Sequence, residues 1–169
     1  MPTRALPSRE ELLALLDTVK DPEVPVVSVV ELGVVRDAEA TAAGVVVKIT
    51  PTYSGCPAMR EIEQGIVQAL EAQGLGPVTV RTVFQPAWTT DWLTDEAKRK
   101  LEAYGIAPPG PAARDDDSLV PLMRRAGVVR CPYCKSGDTV LRSEFGATAC
   151  KSIRFCNACH QPFEQFKAI

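Results

Sequence analysis

Residues 131–159 read CPYCKSGDTVLRSEFGATACKSIRFCNAC. Two Cys-x-x-Cys pairs, Cys131/Cys134 and Cys156/Cys159, bracket this stretch with 21 residues between them, close to zinc-ribbon spacing. Each short loop turns two thiolates toward one point. Two such loops complete a tetrahedron, which suits zinc because that ion has no d-electron preference for another geometry. Thr139–Glu144, Ile153–Phe155 and Pro162–Phe166 predict the strands of a ribbon that holds the loops together. Iron in the same four sulfurs, two disulfides or a redox pair are the alternatives; the amino terminus lacks a secretory-signal pattern, which disfavours disulfides. A closed four-thiolate site is expected to be structural.

Upstream, Ala107–Ser118 reads APPGPAARDDDS, with three prolines and no apolar face, and predicts a linker. The charge changes sign across it. Residues 1–118 hold 11 basic and 18 acidic groups, net -7, whereas 119–169 hold 8 basic and 3 acidic, net +5. The expected organisation is therefore a first domain over 1–106, a linker over 107–118 and a ribbon over 119–169. At 51 residues the ribbon is small enough that a metal or disulfide is usually recruited to stabilise it.

In the first domain, Ser8-Arg-Glu-Glu11 is a capping box, and Leu12, Leu13, Leu16 and Val19 predict one helical face ending near Lys20. Pro22 and Pro25 then force a loop that carries Asp21 and Glu23. Val34–Glu39 and Val45–Thr50 predict a hairpin. After the turn-rich Pro51–Pro57, a helix opened by Pro57 presents Met59, Ile62, Ile66, Ala69 and Leu70 on one side and stops at Gly74. Val78–Phe84 predicts a third strand, and Thr94 starts a helix that ends at Gly105. The fold class is α+β: a small helix-covered β-sheet domain followed by a β-rich zinc ribbon.

The composition, 46% hydrophobic and 24% charged with net charge -2, is that of a globular protein and opposes whole-chain polyanion binding. No apolar run approaches a membrane span of about 18 residues, so a cytoplasmic location is expected. The single histidine, His160, excludes a facial triad and most catalytic zinc sites. No phosphate loop or dinucleotide fingerprint is present. Cys56, beside a helix entrance, is expected to feel positive partial charge that favours thiolate, with a buried structural cysteine as the alternative; Asp21 and Glu23 offer oxygen ligands. Cys150 reads as a small buried residue and His160 as a surface imidazole. Neither module is expected to hold a drug-sized pocket.

The runs DPEVPVVS (21–28), ELGVV (31–35) and TPTYSGCPA (50–58) resemble the SufT-related metal-sulfur cluster assembly domain family. The ribbon, with CPYC (131–134), FGATACK (145–151) and CNACHQPF (156–163), is similar to the PaaD family of bacterial phenylacetyl-CoA epoxidase subunits. Both modules match in order. The resemblance implies a non-catalytic accessory subunit in aerobic phenylacetate degradation, whose partners are the oxygenase and reductase subunits and whose role is maturation or insertion of their iron or iron-sulfur centres. It places the family's motif cysteine on Cys56, its acidic residue on Asp21 and the zinc ligands on Cys131, Cys134, Cys156 and Cys159. Two other classes compete: a thiol oxidoreductase using Cys56 or Cys150, and a nucleic-acid-binding ribbon using Arg124, Arg125, Arg130, Lys135, Arg142, Lys151 and Arg154 with Phe145 and Phe155. Zinc bound by four thiolates subtracts two charges from that patch, which disfavours nucleic acid.

Overall fold

Ser8 opens helix α1 (Arg9–Leu16) with a reciprocal box: its hydroxyl accepts from the Glu11 N–H at 3.2 Å, and its own N–H donates to Glu11 Oε2 at 2.7 Å. The computed structural model describes residues 6–53, 55–110 and 128–169. Helix α1 buries Leu12 and Leu16 but stops at Leu16, short of the expected end near Lys20. The chain leaves the helical axis because the Val29 N–H bonds Val19 O at 3.0 Å and Lys20 forms an antiparallel bridge with Ser28. Residues 21–27 are thereby closed into a loop.

Strands β1 (Val35–Thr41) and β2 (Gly44–Ile49) form the expected hairpin, with Ala38 opposite Val47. Helix α2 (Met59–Glu71) then crosses over to β3 (Val78–Thr82), which pairs parallel to β2. The order β1-β2-β3 puts β2 in the middle, where Val45, Val47 and Ile49 are buried. Ile62, Ile66 and Leu70 recur every fourth residue on α2, so one stripe faces the core. Helix α1 packs on β1 and α2, and α2 on β3. Gly74, at φ +72°, closes α2: its N–H bonds Glu71 O at 2.8 Å and the Leu75 N–H bonds Leu70 O at 3.1 Å, the paired bonds of a Schellman motif. Strand β3 is shorter than the predicted Val78–Phe84, and Phe84 is exposed.

Helix α3 (Asp95–Tyr104) is capped by the Thr94 hydroxyl, which accepts from the Ala97 N–H at 3.0 Å, and it ends at Gly105 as expected. Ile106–Ala107 departs from expectation. These two residues form β4, buried and parallel to Glu164–Gln165, although the prolines that follow place Ala107 in the predicted linker. Pro108 and Pro109 have no N–H and so stop the strand at two residues. Strands β5 (Thr139–Ser143), β6 (Lys151–Cys156) and β7 (Pro162–Phe166) complete a second mixed sheet in the order β4-β7-β6-β5. The remainder of the predicted linker beyond Gly110, with Arg124 and Arg125, lies outside the described residues.

The chain divides into two compact units, the first built on residues up to Trp88 with Trp92–Ala97, the second on Thr89–Asp91 with Lys98–Ile169. In the second, Lys151 is only 4% exposed, and its Nζ pairs with Glu164 Oε2 at 2.8 Å. Glu164 Oε1 also accepts the Ala147 N–H at 3.1 Å, which ties the β5–β6 loop to β7.

Candidate metal centre

The two cysteine loops are built alike. In the first, the Lys135 N–H bonds Cys131 O at 2.9 Å and the Cys131 N–H bonds Ser136 O at 2.9 Å. In the second, the His160 N–H bonds Cys156 O at 2.9 Å and the Cys156 N–H bonds Gln161 O at 3.0 Å. Lys135 and His160 hold the same place in each loop, and both adopt left-handed backbone, at φ 64° and 58°. That conformation costs a non-glycine residue roughly 1–2 kcal/mol, so its recurrence marks two loops shaped for one purpose.

That purpose is visible in the sulfurs. Cys131 Sγ lies 3.7 Å from Cys159 Sγ and Cys134 Sγ lies 3.5 Å from Cys156 Sγ, and all four fall within 4.8 Å of one another. Zn–S bonds of about 2.3 Å in a tetrahedron separate the sulfurs by about 3.8 Å, so this donor set fits a single tetrahedral divalent ion. All six cysteines are free thiols, and 3.5 Å is far beyond the ~2.05 Å of a disulfide. Cys131 and Cys156 are buried with Ala107 and Phe163, and Val129 and Cys159 pack against them. The strand β4 missed by the linker reading thus supplies part of the wall.

The tetrad's electrostatics call for a cation. The N–H of Cys159, then that of Ala158, point at Cys156 Sγ and hold its thiol down to about 7, while burial pushes Cys159 up to about 12. Four thiolates cannot form here together without a positive charge among them. His160 is exposed, its ring 6.3 Å from that of Phe155, and the converging set consists of the four cysteines. Cys150 is buried, with its sulfur 3.0 Å from Thr148 Oγ1, in keeping with a packing role. Among the described basic residues, Lys135 pairs with Glu102 at 2.8 Å and Lys151 with Glu164, so two of them are already neutralised.

In the first unit, Cys56 lies three residues before the first helical residue of α2 and is half-buried. Its thiol is not activated as expected. Burial pushes it up, the carboxylates of Glu23 and Asp21 push the same way, and the Ala58 N–H and Thr52 hydroxyl only partly offset them. The fold does bring the proline loop beside Cys56, since both of its carboxylates act on that sulfur. Among the described residues, however, the cysteine tetrad is the one group of three or more such ligands that converges. Asp21 also shapes its own loop, since it is 9% exposed and its Oδ1 accepts the N–H groups of Glu23 and Val24, each at 2.8 Å.

Ser28-Val-Val-Glu31 is a further capping-box pattern, whose two polar residues the sequence alone does not mark as part of the site. The Ser28 N–H donates to Glu31 Oε2 at 2.8 Å, the Glu31 N–H donates to Ser28 Oγ at 3.0 Å, and the Ser28 hydroxyl bonds Asp17. This buried network fixes the far end of the acidic loop. Each unit also holds an open surface cleft, one of about 470 Å³ beside Lys20 and Glu61 and one of about 330 Å³ beside Tyr104 and Tyr133.

With its thiol raised, Cys56 should alkylate slowly at neutral pH and accelerate only as pH rises above the ordinary thiol range. Glu23→Gln removes one of the raising charges and should increase the rate near pH 8. Timed iodoacetamide labelling with peptide mass spectrometry reads both; fast labelling of the parent chain at pH 7 would contradict the structure.

Residues 9–83 match the model of the iron-sulfur cluster assembly protein family, and residues 115–167 match the PaaD zinc beta ribbon domain. The chain is 44% identical over 167 residues to an Escherichia coli (strain K12) protein, named as the D subunit of a "Putative 1,2-phenylacetyl-CoA epoxidase", covering 99% of this chain and 97% of that one. It is 34% identical over 98 residues to the Fe-S protein maturation auxiliary factor of Porphyromonas gingivalis (strain ATCC BAA-308 / W83), covering 57% of this chain and 92% of the relative. A domain of unknown function from Bacillus anthracis, solved by crystallography, superposes with a TM-score of 0.52 at 30% identity, over 55% of this chain and 90% of that one. No helix among the described residues is long and apolar enough to cross a membrane. A half-buried cysteine beside an acidic loop in an assembly-type domain, joined to a four-cysteine ribbon, is thus accompanied by near full-length similarity, and the chain belongs to the PaaD family of phenylacetyl-CoA epoxidase subunits.

Proposed function

We propose that this chain is a non-catalytic accessory subunit of a phenylacetyl-CoA epoxidase system, acting in the cytoplasm to help mature or insert iron or iron-sulfur centres in the oxygenase and reductase subunits. The observation that carries this is the joining of an iron-sulfur assembly-type domain and a zinc ribbon in one chain that is 44% identical over nearly its whole length to a relative named as an epoxidase D subunit. In this reading the first compact unit, up to Trp88 with Trp92–Ala97, forms the transfer module, and the second unit carries the ribbon, whose sheet takes in Ile106 and Ala107 from the expected 107–118 boundary. Zinc held by Cys131, Cys134, Cys156 and Cys159 folds the ribbon and takes no part in turnover.

Iron, or a cluster, is the cargo. Cys56 offers it one soft ligand, and the carboxylates of Asp21 and Glu23 that oppose thiolate formation would equally attract a cation. The cation must displace the thiol proton and finds too few ligands to stay. Weak, reversible holding is what transfer to a partner requires.

Co-expression of the oxygenase and reductase partners with the parent chain, with Cys56→Ala and without the chain tests this by metal analysis of each partner. The expected result is that Cys56→Ala folds and keeps its own zinc while one partner loses most of its iron and its activity. Fully metallated, active partners beside a folded Cys56→Ala chain would reduce Cys56 to a packing residue. Partner iron unchanged when the chain itself is omitted would sink the maturation role altogether.

A further inference from the structure

The second sheet presents one exposed apolar face. Cross-strand register puts Val140, Phe155 and Pro162 in one row and Ile153 and Glu164 in the next, with the buried Ile106 beside Glu164 at the wall of the cleft. Val140 and Ile153 are 37% and 36% exposed. Beside them the cleft of about 330 Å³ is walled by Tyr104 and Tyr133, themselves 55% and 56% exposed. The β5 edge itself is a poor docking strand, because an irregularity between Leu141 and Ser143 breaks its ladder. The face is the better surface.

Tyr133 is held in position from two sides. It lies between Cys131 and Cys134, so the metal loop fixes its backbone. Its ring lies against Gly105, where a Cβ would fall 2.9 Å from the Tyr133 hydroxyl oxygen, and Gly105 at φ +93° needs glycine in any case. A rigid, partly exposed tyrosine at the mouth of a cleft can anchor a partner at little entropic cost.

The charges specify what kind of partner fits. The Arg142 guanidinium lies 5.2 Å from the Phe155 ring centroid and makes no ion pair among the described residues. Glu164, the acidic group at the cleft, is already neutralised by Lys151. Residues 128–169 hold six basic and three acidic side chains, and four thiolates around one divalent ion leave about +1. That is too little for a nucleic-acid backbone but suits one or two carboxylates. Arg142 on β5 and the cleft beside β7 are two strand spacings apart, about 10 Å.

We propose that this face is a docking site for an acidic segment of a partner protein, with a bulky apolar side chain in the Tyr104–Tyr133 cleft and a carboxylate on Arg142, and that docking requires the loaded metal tetrad. This goes beyond the maturation reading and stands without it.

The probe is a synthetic peptide, Ser-Glu-Ser-Trp-Ser-Glu-Ser, titrated into the ¹⁵N-labelled zinc-loaded full chain and followed by NMR. Saturable shifts at Tyr133, Ile153, Phe155 and Ile106 are expected. Tyr133→Ala and Arg142→Glu should each weaken binding about tenfold or more while zinc content and the rest of the spectrum hold. Exchanging the peptide's Trp for Ser, or its Glu residues for Lys, should have a similar effect, as should metal removal by chelator. Arg142→Lys, which keeps the charge, should bind better than Arg142→Glu. No shifts at this face at millimolar peptide, binding unaffected by either substitution, a single-stranded oligonucleotide that displaces the peptide and binds more tightly, or concentration-dependent self-association through the same residues would each overturn the proposal.

Discussion

Cys134→Ser releases the bound metal and unfolds the ribbon while leaving the sheet of residues 35–82 intact. Cys134 supplies one of four sulfurs that lie within 4.8 Å of one another, and a hydroxyl is a poor substitute for a thiolate on a soft site. The ribbon's buried cluster consists largely of the ligands themselves, Cys131 and Cys156, with Ala107 and Phe163. Loss of the metal therefore opens that cluster directly, and Phe166 and Ile106, buried beside it in the same sheet, are left to hold the strands without the loops. Structural zinc in comparably small modules contributes about 10–16 kcal/mol of apparent folding free energy, so the loss should exceed any single core truncation in the chain. The two left-handed residues, Lys135 and His160, add a cost that only the loaded loops offset. Metal analysis should fall from one equivalent toward none, and amide resonances of β5–β7 should collapse toward random-coil positions while those of β1–β3 stay dispersed. A folded ribbon in the metal-free variant would refute the account. Because the ligands must shed protons to bind, the metal should also be lost as pH falls, even though the N–H groups of Cys159 and Ala158 hold the Cys156 thiol down to about 7.

Ile66→Ala should destabilise the first unit by roughly 2–5 kcal/mol, the range for truncating a fully buried aliphatic side chain. Ile66 is 0% exposed in the middle of the Ile62–Ile66–Leu70 stripe, with α1 on one side of its helix and β3 on another. A cavity there cannot collapse easily, because α2 is held at its end by the Gly74 closure. Urea denaturation followed by far-ultraviolet circular dichroism should show the midpoint of the first unit falling, with zinc stoichiometry unchanged. A loss below about 1 kcal/mol would mean that the helix repacks. Simultaneous loss of zinc would mean that the two units do not unfold separately.

Much of this architecture is set by signals that act over a few residues. The Ser8–Glu11 box, the four-residue stripe of α2, the Gly74 and Gly105 stops and the two Cys-x-x-Cys loops each specify local geometry through bonds between positions up to five apart, and each appears in the structure where the sequence places it. The spacing of the cysteines likewise announces a four-sulfur site before any coordinate is known. What tertiary structure alone decided involves partners remote in sequence. The early end of α1 follows from pairing of Val19 and Lys20 with Val29 and Ser28, and Ala107 becomes strand because β7 offers it a ladder that outweighs the prolines after it. Cys56 is the clearest case. The helix entrance favours thiolate, but burial and the folded-back carboxylates of Glu23 and Asp21 outweigh a partial charge that is felt within only one turn. Solvation and long-range charge belong to the assembled surface, so the tetrad could be located from sequence, whereas the state of Cys56 and the exposed face around Tyr133 required the fold.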